Sequence, residues 1–210
     1  MEQTFEAFVA EQFAGKLHVG CHSEDSGKAC VFEAWNAYQK KARLGSLWTD
    51  STIVTGTWDF RSLNDIPVST KLRALWMVRL AEAYAGSRRW PTRRKVAVLE
   101  RIFVRTVQEM LQQQPTPLQA KVQDAYDYEP NLKRALEAVA RRNWKEEWQR
   151  IAFDHGACVL DAWAALTSGL TFKVVEEATI PAPKTQRARR RRQLFVKACA
   201  IWLDAAEAVA

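Results

Sequence analysis

Glycine and proline are scarce in this chain, and their positions constrain its fold more than any other feature. Only eight glycines and seven prolines occur among 210 residues. Most of them separate segments in which apolar residues recur about every 3.6 positions. This pattern predicts a mainly α fold of about eight helices. The 48% hydrophobic content suffices for one compact helical domain, or for two small helical halves, 1–114 and 115–210.

The helix boundaries are predicted from capping residues. The first helix should span 2–14 and the second should start after Ser26. Val31, Trp35 and Tyr38 would form the core face of this second helix, and its polar face would carry Glu33, Asn36 and Lys40.

Further boundary residues predict a helical hairpin. Ser69 should cap a helix that ends at Gly86, and Pro91 should open the next one. That helix should stop at Pro115 and Pro117. Later in the chain, Asn131 should cap a long helix reaching about residue 151, and a final helix should follow Pro183 with a core stripe of Leu194, Ala198, Ile201, Trp202 and Ala205.

Two stretches lack the helical period. Residues 44–67 contain glycine, proline, serine and threonine and predict an irregular loop, in which 52–55 has the composition of a short strand. Residues 170–183 predict an extended segment, because they are rich in valine and threonine and end in Pro181-Ala182-Pro183.

The net charge of +7 is a local property of the chain. Seven of the 31 lysines and arginines lie in the segment 184–197, and the other 24 are balanced by 24 acidic residues. No acidic residue occurs between Ala178 and Leu203. This basic segment predicts a polyanionic partner and side chains free of internal carboxylates; its cations are Lys184, Arg187, Arg189, Arg190, Arg191, Arg192 and Lys197.

The expected position of this segment at a helix start strengthens the prediction. Arginines there oppose the helix dipole, at a cost of a few tenths of a kcal/mol each when exposed. A phosphate would offset this cost, because backbone N–H groups and guanidinium forks both bind it. The alternatives are a solvated basic linker and an address signal.

A second basic stretch also opens a predicted helix, and it interleaves arginine with an aromatic residue, as in proteins that stack nucleic-acid bases. A tryptophan in such a place is more often a core anchor. The candidate contacts are Arg88, Arg89, Trp90, Arg93, Arg94 and Lys95. A third group, Arg141, Arg142 and Lys145, is followed by two glutamates and is more typical of a charged helix face.

Metal binding and catalysis have less support. If the two echoed segments 29–37 and 157–165 meet in space, four N or S ligands could converge on zinc, although the spacing fits no standard zinc pattern; the candidates are Cys21, His22, Cys30, His155 and Cys158. Loop acids could hold a divalent cation in a nuclease, but such residues are usually solvated or capping groups; they are Asp50, Asp59, Asp65, Asp124, Asp127 and Glu129. No nucleophile motif or glycine-rich nucleotide loop occurs, so no cofactor is expected. The absence of an apolar run of about 20 residues, or of a leader pattern, favours a cytoplasmic protein with no membrane partner.

Two segments echo each other. Residues 29–37 and 157–165 share six of nine residues, including an Ala-Cys-Val start and a tryptophan. An ancient duplication and convergence of alanine-rich helices both explain this similarity.

The stretch 20–65 resembles a set of uncharacterised bacterial and phage proteins. The recurring elements are Ala29-Cys30-Val31-Phe32-Glu33-Ala34, Trp48-Thr49-Asp50 and Leu63-Asn64-Asp65. In that group a His-Pro pair typically follows the Thr/Ser-Asp, whereas Ser51-Thr52 follows here. The resemblance implies a helical domain in a prokaryotic or viral context, and no reaction.

These observations lead to one preferred function and two alternatives. The preferred function is a non-enzymatic, sequence-tolerant nucleic-acid-binding subunit, DNA or RNA, within a larger nucleoprotein assembly that includes other protein subunits. The first alternative is a protein-interaction module whose nine tryptophans and many arginines bind an acidic protein surface. The second is a metal-dependent hydrolase.

Overall fold

Helices make up the regular structure of the described chain. The structure is a computed structural model, and it describes residues 3–20, 22, 26–39, 60–124, 130–143, 145–147, 150 and 159–209. The prediction of a mainly α fold is confirmed, and no strand occurs in the described ranges. The helices are α1 Phe5–Phe13, α2 Val31–Tyr38, α3 Arg61–Asn64, α4 Thr70–Ala83, a 3-10 turn Ser87–Arg89, α5 Thr92–Thr106 with a π-helical continuation Val107–Leu111, α6 Thr116–Asp124, α7 Pro130–Ala140, α8 Val159–Thr179 and α9 Lys184–Glu207.

Several helix ends follow the local rules. The Ser69 hydroxyl accepts a hydrogen bond from Leu72 N and starts α4, and Gly86 has a left-handed φ of 72° after its end. Pro91 caps α5, as predicted. The first helix is shorter than expected, because Thr4 caps it at Phe5.

The predicted extended segment 170–183 is wrong for residues 170–179, which belong to α8. Valine and threonine disfavour helices only weakly, and burial overrides that preference. Val174 and Val175 are fully buried. The hydroxyls of Thr171 and Thr179 donate to the carbonyls of residues four positions earlier, at 2.8 and 2.7 Å, so that these polar groups are satisfied inside the helix.

The helix that Pro91 opens stops before Pro115, as predicted, and Pro117 lies in the first turn of the next helix, α6, where proline needs no hydrogen-bond partner. Two further predictions are wrong. Asn36 is predicted on the polar face of α2, but it is buried. The helix predicted to follow a cap at Asn131 and to reach about residue 151 spans Pro130–Ala140, so that Asn131 lies inside it. It stops at Ala140 because Arg142 takes a left-handed φ of 66° and Asn143 N bonds to Ala138 O.

The loop prediction for 44–67 is only partly open to description. Residues 40–59, with the suggested strand 52–55, lie outside the described residues. The end of the segment is not irregular, since Arg61–Asn64 forms α3. A short helix is possible here because Phe60, Leu63 and Ile66 are all fully buried and hold it against the core.

The last two helices form the centre of the packing. The helix α8 packs against α3, α5, α6 and α9, and α9 also packs against α4 and α5. One buried cluster draws on both predicted halves. Tyr84, fully buried, donates its hydroxyl to Trp202 O at 2.8 Å and so joins α4 to α9. Across the described residues, no helix is both long and apolar enough to cross a membrane.

Both echoed segments are helical where the structure describes them. Val31 begins α2, Val159 is the first described residue of α8, and the corresponding tryptophans, Trp35 and Trp163, are both buried. The echo therefore corresponds to similar local packing. Residues 157 and 158 lie outside the described ranges.

Candidate nucleic-acid interface

The basic segment occupies the first turns of α9, as predicted. Pro183 is the N-cap residue and offers no side-chain acceptor to the first turn, which contains no acidic residue. The short turn after α8 holds this start in place, because the Ala182 carbonyl accepts a hydrogen bond from Arg187 Nε at 3.0 Å. The arginines are therefore displayed on a rigid helix that continues into the buried core.

The helix divides the seven cations of this segment into two groups. Four cations make no hydrogen bond or ion pair with any described residue, and we call them the outward face: Lys184, Arg189, Arg190 and Arg192. Arg190 is half-buried, and the other three are exposed. The inward group, Arg187, Arg191 and Lys197, turns toward neighbouring chain segments.

The expectation that the basic segment has no internal carboxylate partner is wrong for two of its members. Arg191 forms an ion pair with Glu176 of α8, with Nε 3.1 Å from Oε1 and a long Nη2 contact of 3.5 Å to Oε2. Lys197 donates to Glu109 O at 2.6 Å, and its Nζ lies 3.9 Å from Glu109 Oε2. The acid-free stretch in the sequence does not predict this, because both glutamates come from other helices.

The carboxylates that lie at this end of the molecule are already neutralised. Glu177 of α8 is buried and accepts ion pairs from Lys121 at 2.7 Å and Lys173 at 2.9 Å. The hydrogen bond from Lys121, supported by Lys173, lowers the pKa of Glu177 despite its burial. Glu109 also pairs with Arg105 at 2.6 Å. These acids therefore add little negative potential to offset the outward face. Lys121 and Lys173 give no signal in the sequence, since they lie outside any basic run.

The second basic stretch forms a different environment, which we call the distal patch (88–95). Its Trp90 is half-buried and packs against Tyr84 at 5.7 Å between ring centroids. The Arg94 guanidinium lies 3.9 Å from the centroid of the Trp90 ring. Trp90 thus acts as an anchor for the turn before α5, with one face covered by a cation. Arg89 and Arg93 are exposed.

The outward face and the distal patch lie near opposite ends of α9. The helices α5 and α9 run antiparallel, since Arg105 pairs with Asp204 at 2.9 Å and Glu109 contacts Lys197. Arg93 and Arg94 consequently lie beside Val209. At 1.5 Å per residue, about 28 Å separates Arg190 from Val209 along the axis. The two basic stretches are separate surfaces and do not form one patch.

The third basic group belongs to a charged helix end. Arg141 pairs with Glu137 at 3.2 Å, one helical turn earlier. Glu147 similarly pairs with Arg134 and Arg150, at 2.5 and 2.6 Å. Arg141 is thus paired, whereas Arg142 and Lys145 are exposed and make no ion pair with a described residue.

The candidate zinc ligands can be placed only in part, because Cys21, His155 and Cys158 lie outside the described residues. His22 and Cys30 both serve Glu33: its carboxylate accepts His22 N at 2.8 Å and Cys30 N at 2.7 Å, and lies 3.0 Å from His22 Nδ1. No three His, Cys, Asp or Glu side chains within the described ranges are grouped as metal ligands. The described His22 and Cys30 therefore act in a loop anchor.

The candidate acids likewise serve local structure where they are described. Asp65 Oδ1 accepts a hydrogen bond from Gly20 N at 3.2 Å, and Asp124 is exposed at the end of α6. The remaining candidates fall on residues that the structure does not describe: Asp50, Asp59, Asp127 and Glu129.

A buried arginine that no sequence motif singles out organises this loop region. Arg73 of α4 donates to the carbonyls of Asn64 at 2.6 Å, Leu17 at 3.1 Å, Ile66 at 2.9 Å and Val68 at 3.3 Å. Asn64 in turn donates to His18 O. Two of the recurring elements, around Glu33 and around Asn64, thus hold the same loop. The sequence signal that could have found Arg73 is a lone arginine at a core-facing helical position.

His18 lies beside this anchor. Its ring centroid is 5.7 Å from that of His22. Burial, followed by the positive fields of His22, Lys28, Arg73 and Lys16, lowers the pKa of His18. The imidazole is therefore more strongly neutral at pH 7 than a free histidine.

Comparisons with protein-family models, curated proteins and solved structures gave no match.

Proposed function

We propose that this protein is a non-catalytic subunit that binds nucleic acid by its phosphate backbone, through the outward face of α9. The observation that carries the proposal is the division of the basic segment: four cations within nine residues of one helix have no partner in the described chain, while the carboxylates that lie nearby are already paired. Such a surface neutralises phosphates without reading bases.

The energetics of the helix start favour an anionic ligand. Arg189 and Arg192 are three residues apart and so lie side by side on the helix, where like charges destabilise it. Lys184, in the first turn, opposes the positive end of the helix dipole. A phosphate between Arg189 and Arg192 would remove their repulsion, and guanidinium groups bind its oxygens in pairs. Structural stability alone gives no reason to keep four unpaired cations here.

The alternative of a tryptophan-rich protein interface has a weaker basis. Trp35, Trp163 and Trp202 are buried. Trp76 and Trp90 are half-buried, and each is covered by an arginine, with guanidinium distances to the ring centroids of 5.0 and 3.9 Å. The tryptophans in the described ranges therefore form no exposed apolar patch, and the outward face is the stronger candidate for partner binding.

Equilibrium binding to a labelled duplex and to a labelled single strand, measured by fluorescence anisotropy, tests the proposal. The outward variant is R189Q/R190Q/R192Q. A matched control, K16Q/K28Q/R101Q, removes the same charge from exposed positions on other elements. We expect the outward variant to bind about tenfold more weakly for each phosphate that it no longer neutralises at about 0.1 M salt, and the control to bind almost as tightly as the native protein.

Two results would overturn the proposal. If the affinity falls equally in both variants, binding depends on net charge alone. If the native protein binds neither nucleic acid but binds an acidic polypeptide through the same arginines, the partner is a protein surface.

A further inference from the structure

A groove between α1 and α4 is a largely apolar open surface of the described chain that the proposed function leaves unused. It encloses about 290 Å³ and is lined along α4 by Lys71, Leu75, Val78 and Glu82, and along α1 by Glu6 and Val9. Leu75 is 57% exposed, more than any other large hydrophobic residue in the described ranges. A leucine exposed to this degree within a groove is typical of a contact surface.

The lining residues of α4 form one stripe. Lys71, Leu75, Val78 and Glu82 are spaced four, three and four residues apart, which places them on one helix face over about 16 Å. The opposite face of α4 holds Arg73, Met77 and Leu80 in the core. Within the stripe Val78 is only 6% exposed and forms the floor of the groove, so Leu75 is the apolar side chain that the described chain leaves uncovered.

The acids of the groove lie at one of its ends. The helices α1 and α4 are antiparallel, since Leu17 N, just after α1, bonds to Thr70 O at the start of α4. Lys71 lies at that end, and Glu6 and Glu82 lie together at the other, where Arg79 also lines the groove three residues before Glu82. Burial, and then repulsion from Glu6, raises the pKa of Glu82. Neither Lys71 nor Glu82 has an ion-pair partner among the described residues.

Lys71 at one end and two acids against one arginine at the other make the ends of the groove opposite in charge, and such a surface is complementary to itself under two-fold rotation. We propose that the α1/α4 groove binds a second copy of this chain, with the two α4 helices antiparallel. In this arrangement Lys71 of each copy meets the partner's Glu82, and the exposed Leu75 enters the partner's groove above its floor at Val78. The dimer therefore gives Glu82 of each copy an ion-pair partner and covers Leu75 of each copy.

The contact is small, so the dimer should be weak. A pair of single-helix faces buries less than a standard interface, which places the dissociation constant in the micromolar range or above. Two symmetric ion pairs at an exposed rim make the association sensitive to salt. The groove does not include the outward face of α9, so that nucleic-acid binding and dimerisation can be measured separately.

Sedimentation analysis of the full chain without nucleic acid, from about 5 to 500 µM, tests the dimer. We expect K71E and E82K, each alone, to weaken it at least about tenfold, because each puts two like-charge pairs in the interface. An equimolar mixture of K71E and E82K restores both pairs, so a heterodimer should form. Leu75→Asp should abolish the dimer, whereas Ile180→Asp, at a 51% exposed apolar residue elsewhere, should leave it unchanged.

The recovery in the mixture also shows that the variants are folded. A monomer at all concentrations overturns the proposal. So does a dimer that persists in L75D, or a mixture of K71E and E82K that associates no better than either variant alone. None of these results bears on the binding of phosphate by α9.

Discussion

Arg191 and Glu176 form an ion pair between α9 and α8, with 3.1 Å between Nε and Oε1, while the adjacent Arg192 is exposed and makes no hydrogen bond or ion pair with any described residue. A single step along the helix thus separates an arginine that holds two helices together from one that is available to a ligand. The helical geometry makes this separation, because successive residues point about 100° apart.

This difference predicts opposite effects of two neighbouring substitutions. Arg191→Gln should lower the free energy of unfolding by about 0.5–1 kcal/mol, the range for partly exposed ion pairs, with little effect on nucleic-acid affinity. Arg192→Gln should leave stability within about 0.5 kcal/mol and weaken binding. Urea denaturation and a binding isotherm of each variant check both effects. The reverse pattern would show that the inward and outward assignments are exchanged.

The buried carboxylate of Glu177 should make stability depend on acid pH. Lys121 and Lys173 lower its pKa below the unfolded value, so its contribution is complete above an unfolded pKa of about 4.3 and is lost as the pH falls through the folded pKa. Glu177→Gln should therefore cost about 1–2 kcal/mol at pH 7 and progressively less below about pH 4. Urea titrations at several pH values measure this. A difference from the native protein that stays constant down to about pH 3 would contradict the role of the charge.

Arg73 should be intolerant of a conservative change. Its guanidinium reaches four backbone carbonyls, and a lysine keeps the charge but has one nitrogen in place of three. We expect Arg73→Lys to lower the free energy of unfolding by about 2–4 kcal/mol, because buried carbonyls are left without donors. Chemical denaturation measures the decrease, and amide exchange should show faster opening of residues 15–22. Exposed Arg79→Lys is the control on the same helix. Equal stability of the two variants would rule out the anchoring role.

The parts of the fold that follow from local chemistry could be predicted from the sequence. Ser69, Pro91 and Gly86 mark helix ends because caps depend on neighbouring residues alone. The helical state of Thr171 and Thr179 could not be predicted in this way, because their side chains become buried, and their hydroxyls bond to backbone carbonyls, only in the packed protein.

The candidate site divides in the same way. The placement of the arginines at a helix start could be predicted from the sequence, because Pro183 and the following period lie beside them. The partners of Arg191 and Lys197 could not be predicted, because Glu176 lies 15 residues from Arg191 in the sequence and Glu109 lies 88 residues from Lys197. Long-range pairs of this kind determine which cations remain available.

The salt dependence of nucleic-acid binding tests the central claim most directly. The claim is that Arg189, Arg190 and Arg192 of the outward face neutralise phosphates. The slope of log K against log salt should therefore be shallower by about 2–3 units for R189Q/R190Q/R192Q on duplex DNA than for the native protein, at about 0.9 for each phosphate left without its cation. Identical slopes for the two proteins would show that these side chains do not touch the DNA backbone and would contradict the proposed function.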